Sequence, residues 1–310
     1  MSTFSTAANI VASCRRTVLC SADDRNHSHL GLGMNNKPRL LILGAHPDDA
    51  EYAAGGLATR YRHLDRPVKM VSVTDGSAGH HWRTPEELIP LRRSEAASAG
   101  AVIGATYETW NFPDGRLQPT LDVRDRIIRE IRSFQPDLVL THRPCDYHPD
   151  HRVVGQCVQD ASYLVTVPLI ASDVPALRKD PVVAYLPDLF TRPVPLRCDV
   201  ILDISDELPT IGQMLSCHRS QLFEWLAYEQ DLLETVPDDD GEKQKWAEAW
   251  IAERIRPRSD RFRNELIARI GRTRGEQIQF IEMFEISEYA RQPDREDVEL
   301  LFPDALSPRG

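Results

Sequence analysis

Residues 39–45 (RLLILGA) are apolar except for the first, follow Pro38 and lead directly into His46. A run with no polar alternation needs cover on both faces, as a central strand of a parallel sheet has. The text after it supports that reading. Residues 50–64 carry Tyr and Leu at helical spacing among small residues, and 68–73 read as a second strand closed by Asp75-Gly76, which makes a β-α-β unit. The alternation continues with a helix at 90–103, a strand at 107–112, a helix at 123–134 and a strand at 137–141. A helix at 152–164, strands at 182–186 and 199–204 and a helix at 207–226 follow, at which point the sheet is expected to be complete. Such alternation predicts an α/β fold, a three-layer sandwich around a mostly parallel sheet.

From residue 228 the chain turns to charged, Trp-containing helical stretches, broken by the acidic turn 237–241 and followed by a strand at 279–286. We read 228–310 as a C-terminal helical extension or cap on a single catalytic domain spanning 37–310. Residues 1–36 are rich in Ser, Asn, His and small residues without periodicity, as expected of a disordered leader, with Met34 just ahead of the first strand.

Apolar residues make up 41% and charged residues 27% of the 310, a globular composition. A net charge of -10 with no dense Lys/Arg block leaves no footprint for a phosphate backbone, so no nucleic-acid partner is expected. No apolar stretch approaches the roughly 20 residues of a membrane span, and no membrane partner is expected. Cys14, Cys20, Cys145, Cys157, Cys198 and Cys217 form no C-x-x-C pair, which suits a reducing, cytoplasmic setting. Self-association is left open.

Ligands of an open parallel sheet bind beyond the carboxyl ends of its strands. Two such places hold metal-ligand residue types: Ala45-His46-Pro47-Asp48-Asp49-Ala50-Glu51 after the first strand, and residues 142–151 (HRPCDYHPDH) after the fourth. Zinc takes imidazole nitrogen and carboxylate oxygen, and a catalytic site keeps three protein ligands. His46 and Asp49 lie three apart where a helix begins and can converge on one ion. Asp48 then points elsewhere, free to accept a proton from an activated water. His148 and His151 are also three apart: one can bind metal while the other faces the substrate oxygen.

Each feature also has a structural reading. Asp at a helix start commonly caps free backbone donors. His142 reads as a buried or supporting histidine rather than a ligand. His80, His81 and Trp82 sit on a loop that either contacts substrate or is solvated. Tyr147 is a candidate donor to substrate, against packing of its own loop. Asp114, in Phe112-Pro113-Asp114-Gly115, fits a turn as well as a substrate site, and Arg92 with Glu95 fits a surface ion pair.

AHPDDAE followed at a distance by HPDH resembles the signature of the LmbE-like, or PIG-L, N-acetylglucosaminyl deacetylases. The order of DGSAG, Arg92-x-x-Glu95, FPDG and His218-x-Ser220-Gln221 agrees over residues 37 to about 220. The resemblance implies a Rossmann-like sheet, a Zn2+ centre (Fe2+ being the alternative) and a metal-dependent N-deacetylase acting on a small N-acylated substrate. It implies His46, Asp49 and His151 as metal ligands, Asp48 as general base, protonated His148 as the oxyanion-stabilising group, Asp150 as the residue orienting His148, and Arg92 near the substrate. An amino sugar or sugar conjugate is the expected substrate. The alternatives are a non-sugar amide and a non-catalytic ligand-binding α/β module, against which an unligated Asp48 argues.

Overall fold

In the computed structural model, strand β1 (Leu40–Gly44) is inaccessible along its length, and its alternate residues feed two different cores. Leu40 and Ile42 join the core built with helices α1 (Asp49–His63), α2 (Pro85–Ile103) and α5 (Leu208–Cys217). Leu41 and Leu43 join the core built with α3 (Leu121–Phe134) and α4 (Pro149–Leu164). The unalternated apolar run thus reflects cover on both faces. The structure describes residues 37–306. The expected leader at 1–36, with Cys14 and Cys20, lies outside the described residues.

β1 pairs in parallel with β2 (Val68–Thr74) on one side and β4 (Leu138–Thr141) on the other. With β3 (Thr106–Phe112), β5 (Val182–Tyr185), β6 (Val200–Asp203) and β7 (Ile281–Ile286), the sheet has the order β3-β2-β1-β4-β5-β7-β6. The chain winds outward from β1 to β3 and then restarts on the other side at β4. That reversal opens a crevice beyond the carboxyl ends of β1 and β4, where His46 and residues 142–151 stand.

Three expectations are corrected. β7 enters the sheet between β5 and β6, antiparallel to both, so the sheet is not complete at β6. Helix α2 starts at Pro85 rather than residue 90, because Thr84 and Glu87 form a reciprocal capping box. The helix expected over 207–226 breaks at His218, resumes as a π-helical segment, Ser220–Leu226, and ends in the short α6 (Ala227–Glu229). Beyond it come α7 (Asp240–Arg261), α8 (Arg263–Ile270), α9 (Arg272–Gln277) and, after β7, α10 (Arg295–Leu301). No described helix is long and apolar enough to cross a membrane.

Candidate metal centre and catalytic site

The turn after β1 is closed by its own aspartate. Asp49 Oδ2 accepts from the backbone amides of Ala45 at 2.8 Å and His46 at 2.7 Å. Gly44 allows this, since a Cβ there would stand 2.7 Å from that of Asp49. Asp48, at the N-cap position of α1, has φ 126 and makes no capping hydrogen bond with its side chain. The structural reading of Asp48 as a helix cap therefore fails. Its amide donates to Tyr107 Oη at 3.1 Å. Burial, then the charge of Asp49, pushes its carboxyl up to about 6.

Helix α4 brings the second cluster to this turn. His46 Nδ1 lies 3.2 Å from His151 Nε2 and 3.6 Å from Asp49 Oδ2, and His151 Nε2 lies 3.4 Å from Asp49 Oδ1. Zinc with donors at 2.0–2.2 Å in tetrahedral array spaces them about 3.3–3.6 Å apart, a spacing reached here with a different Asp49 oxygen toward each ring, Oδ2 toward His46 and Oδ1 toward His151. The far sides of both rings decide the tautomers. His151 Nδ1 faces Asp146 Oδ1 at 3.1 Å, and His46 Nε2 faces Asp114 Oδ1 at 3.2 Å and Asp150 Oδ2 at 3.3 Å. Carboxylates take the ring protons on those sides, so the inward nitrogens carry lone pairs. Two lone pairs and a carboxylate aimed at one point repel unless a positive charge lies between them. Protonation answers the same demand: burial pulls His151 down, but Asp49 and Asp146 outweigh it and raise it to about 9. The donor set fits a divalent cation.

Asp150, expected to orient His148, instead places its carboxylate on His46 and on the amides of Gly115 at 2.7 Å and Leu117 at 3.2 Å. Its contact with His148 runs through the backbone: the Asp150 amide donates to His148 Nδ1 at 3.2 Å, capping α4. The proton of a neutral His148 must then sit on Nε2. Burial, followed by the charges of His46 and His151, lowers its pKa. That ring stands edge-on to His46, centroids 4.4 Å apart.

Asp114 is turned toward His46, with its other oxygen on the Ala78 amide at 3.1 Å. Arg92 is 1% exposed and donates to the Gly79 carbonyl at 2.8 Å. Burial lowers its pKa, and Asp48 is the strongest charge opposing that. It forms no surface pair with Glu95, which accepts from the Ser220 amide and hydroxyl. His142 stacks on His151 at 3.8 Å and reaches Asp49 Oδ2 at 3.1 Å, so that Asp49, His142 and His151 each offer a ligand atom within 4.8 Å of the others. His80 binds Glu224 at 2.9 Å and His81 stacks on Tyr228 at 3.9 Å, so this loop is tied to the segment after His218.

Sequence reasoning missed Asp146 and a buried group behind Asp48, in which Glu51 contacts His218 Nε2 at 2.7 Å and Tyr107 Oη at 3.3 Å. Asp146 and Glu51 both lie inside the quoted motifs, but their partners were not readable. A cavity of about 430 Å³ opens over the cluster. It is lined by His46, Asp48, Asp49, His151 and the 70%-exposed Tyr147, and by side chains of the C-terminal region.

Residues 41–162 match the family model described as PIG-L, GlcNAc-PI de-N-acetylase. Over that segment the chain resembles the PIG-L family. Over 144 residues it is 29% identical to a probable N-acetyl-alpha-D-glucosaminyl L-malate deacetylase 2 of Bacillus anthracis, covering 44% of this chain and 63% of that protein's length. Over 213 residues it is 25% identical to the 4-oxalmesaconate hydratase of Pseudomonas putida, covering 65% of this chain and 82% of that one. The fold is similar to that of the N,N'-diacetylchitobiose deacetylase from Pyrococcus horikoshii, with TM-score 0.62 and 22% identity over 84% of this chain and 88% of that chain.

Proposed function

We propose that the chain is a metal-dependent N-deacetylase that removes an acetyl or other small acyl group from an amino sugar or sugar conjugate. The observation that carries the reading is the meeting of His46 Nδ1, Asp49 and His151 Nε2 within 3.6 Å of one another, beside an Asp48 that caps nothing. The PIG-L match and the deacetylase relative support the choice of reaction.

Those three side chains would hold the cation, for which zinc is proposed and ferrous iron is the alternative. When bound, such an ion supplies Lewis acidity, lowering the pKa of a water and polarising a carbonyl. Asp48 accepts the proton of the attacking water and passes it to the departing amine nitrogen. His148 donates Nε2–H to the oxygen on which negative charge develops, an interaction that strengthens as the charge grows. Asp114, Asp150 and Asp146 fix the rings of His46 and His151. Arg92 places a cation beside Asp48.

A second reading is favoured by one observation: the hydratase relative aligns over more of this chain than the deacetylase relative does. The same groups could deliver water to a carbon–carbon double bond. Acetate release from N-acetyl sugars, measured beside water addition to 4-oxalmesaconate, separates the two. Deacetylation by the wild type, falling about 10²- to 10⁴-fold in Asp48→Asn with metal content unchanged, is the expected outcome. Hydration without acetate release would sink the deacetylase reading.

A further inference from the structure

One face of α7 walls the cavity above the histidine cluster. Trp250, Arg254 and Arg258 follow at four-residue steps, which stacks them along one side of the helix, and all three line the cavity. Arg258 is 3% exposed. Its Nη2 donates to the Tyr52 carbonyl at 3.1 Å, while its Nη1 is buried with no hydrogen-bond partner. Arg254 lies over the Trp250 ring at 3.8 Å and donates to the Trp250 carbonyl at 3.1 Å and to the Gln230 side-chain oxygen.

Among the described residues, every hydrogen bond of these two arginines ends on a neutral acceptor. Glu253 is the one carboxylate within 4.0 Å of either, 3.9 Å from Arg254 and with a side chain 84% exposed. Of the other acids near the cavity, Asp48 is the uncapped carboxylate of the candidate catalytic site, and the rest are engaged elsewhere. Asp188 pairs with Arg143 at 3.1 Å, Asp49 and Asp146 face histidines, and Glu282 accepts from the Gly56 and Leu57 amides. Two guanidinium groups thus face a partly apolar space, bordered by Tyr52, Leu186, Phe190 and Leu226, with no carboxylate in an ion pair on Arg258, which buried Glu282 influences only through space, and only the exposed Glu253 near Arg254. A buried donor left unpaired is disfavoured, and a guanidinium matches the oxygens of a carboxylate or phosphate.

We propose that Arg258, with Arg254 beside it, binds an anionic group carried by the substrate, so that the cavity selects N-acyl compounds bearing a carboxylate or a phosphate. The N-acyl group of the substrate rests on the deacetylase reading; the anion site rests on the arginines. α7 lies outside the 41–162 family match, so this is selectivity added by the chain's own C-terminal region.

The test is calorimetric binding of N-acetylglucosamine, N-acetylmuramic acid and N-acetylglucosamine 6-phosphate to the full zinc-loaded chain, with acetate release followed in parallel. At least one acidic sugar is expected to bind tenfold or more tighter than the neutral one, and which of them does so names the anion. Arg258→Met should remove the difference while leaving the affinity for N-acetylglucosamine unchanged, whereas a purely structural role would weaken all three sugars together. If that variant does not fold, Arg254→Gln should narrow the difference severalfold. Equal affinities in the wild type, no measurable binding of either acidic sugar, or a preference that survives the substitutions overturns the proposal. A preference for the acidic sugars with no acetate released from any would reject the deacetylase reading and leave the anion site in place.

Discussion

At Asp48 the backbone sits at φ 126, a region that costs a non-glycine residue about 1–3 kcal/mol. The side chain returns no capping hydrogen bond, and burial pushes its carboxyl up to about 6. A residue that is strained, uncapped and desolvated is best explained by what its carboxylate does in the cavity. Asp48→Gly should therefore separate stability from activity. Glycine adopts this conformation without strain, so the thermal midpoint should hold or rise by up to about 2 kcal/mol equivalent while deacetylation is lost. A fall in stability with activity retained would show that Asp48 is structural. Asp150 carries a related lesson: the family resemblance implied His148 as its partner, yet its carboxylate reaches His46, 104 residues away. Sequence neighbours name the residues of a site more readily than they name its pairs.

Helix α1 is interrupted at Ala54, whose φ -144 and ψ 21 are not helical. The interruption leaves amides inside the helix needing acceptors, and Glu282 of β7 supplies them, taking Gly56 N–H at 2.6 Å and Leu57 N–H at 2.9 Å. Burial, partly opposed by those amides, raises the Glu282 carboxyl from 4.5 to about 7. The folded protein therefore holds this proton more tightly than the unfolded chain. The stability it brings is complete below 4.5 and is lost as pH rises through about 7, a change of about 3 kcal/mol. Glu282→Gln should remove that dependence, so the variant gains several degrees of thermal midpoint relative to wild type between pH 5 and pH 8. A difference that does not move with pH would contradict it. β1 and its motif were legible because an apolar run and a dense ligand pattern have few other uses. β7 was legible as a strand but not as the brace of α1, since that role depends on a contact 226 residues distant. The start of α2 was written in Thr84-Pro85-Glu86-Glu87 and obscured by Pro90, which the helix tolerates. Arg254 and Arg258 were illegible as a site because charged residues on a helix usually face solvent.

Across the whole molecule, the sheet does the chemical positioning. β1 and β4 are neighbours only because the strand order reverses there, and the reversal carries His46 and His151, 105 residues apart, to 3.2 Å. The C-terminal region completes the arrangement, placing β7 within the sheet and α7 along the cavity wall. The meeting of the two turns at one cation is tested most directly by metal content after purification and dialysis, with zinc supplied, for the wild type, His46→Ala and His151→Ala. One equivalent per chain in the wild type and less than about a tenth in each folded variant is the expected result. A full equivalent retained by either variant would contradict a shared centre.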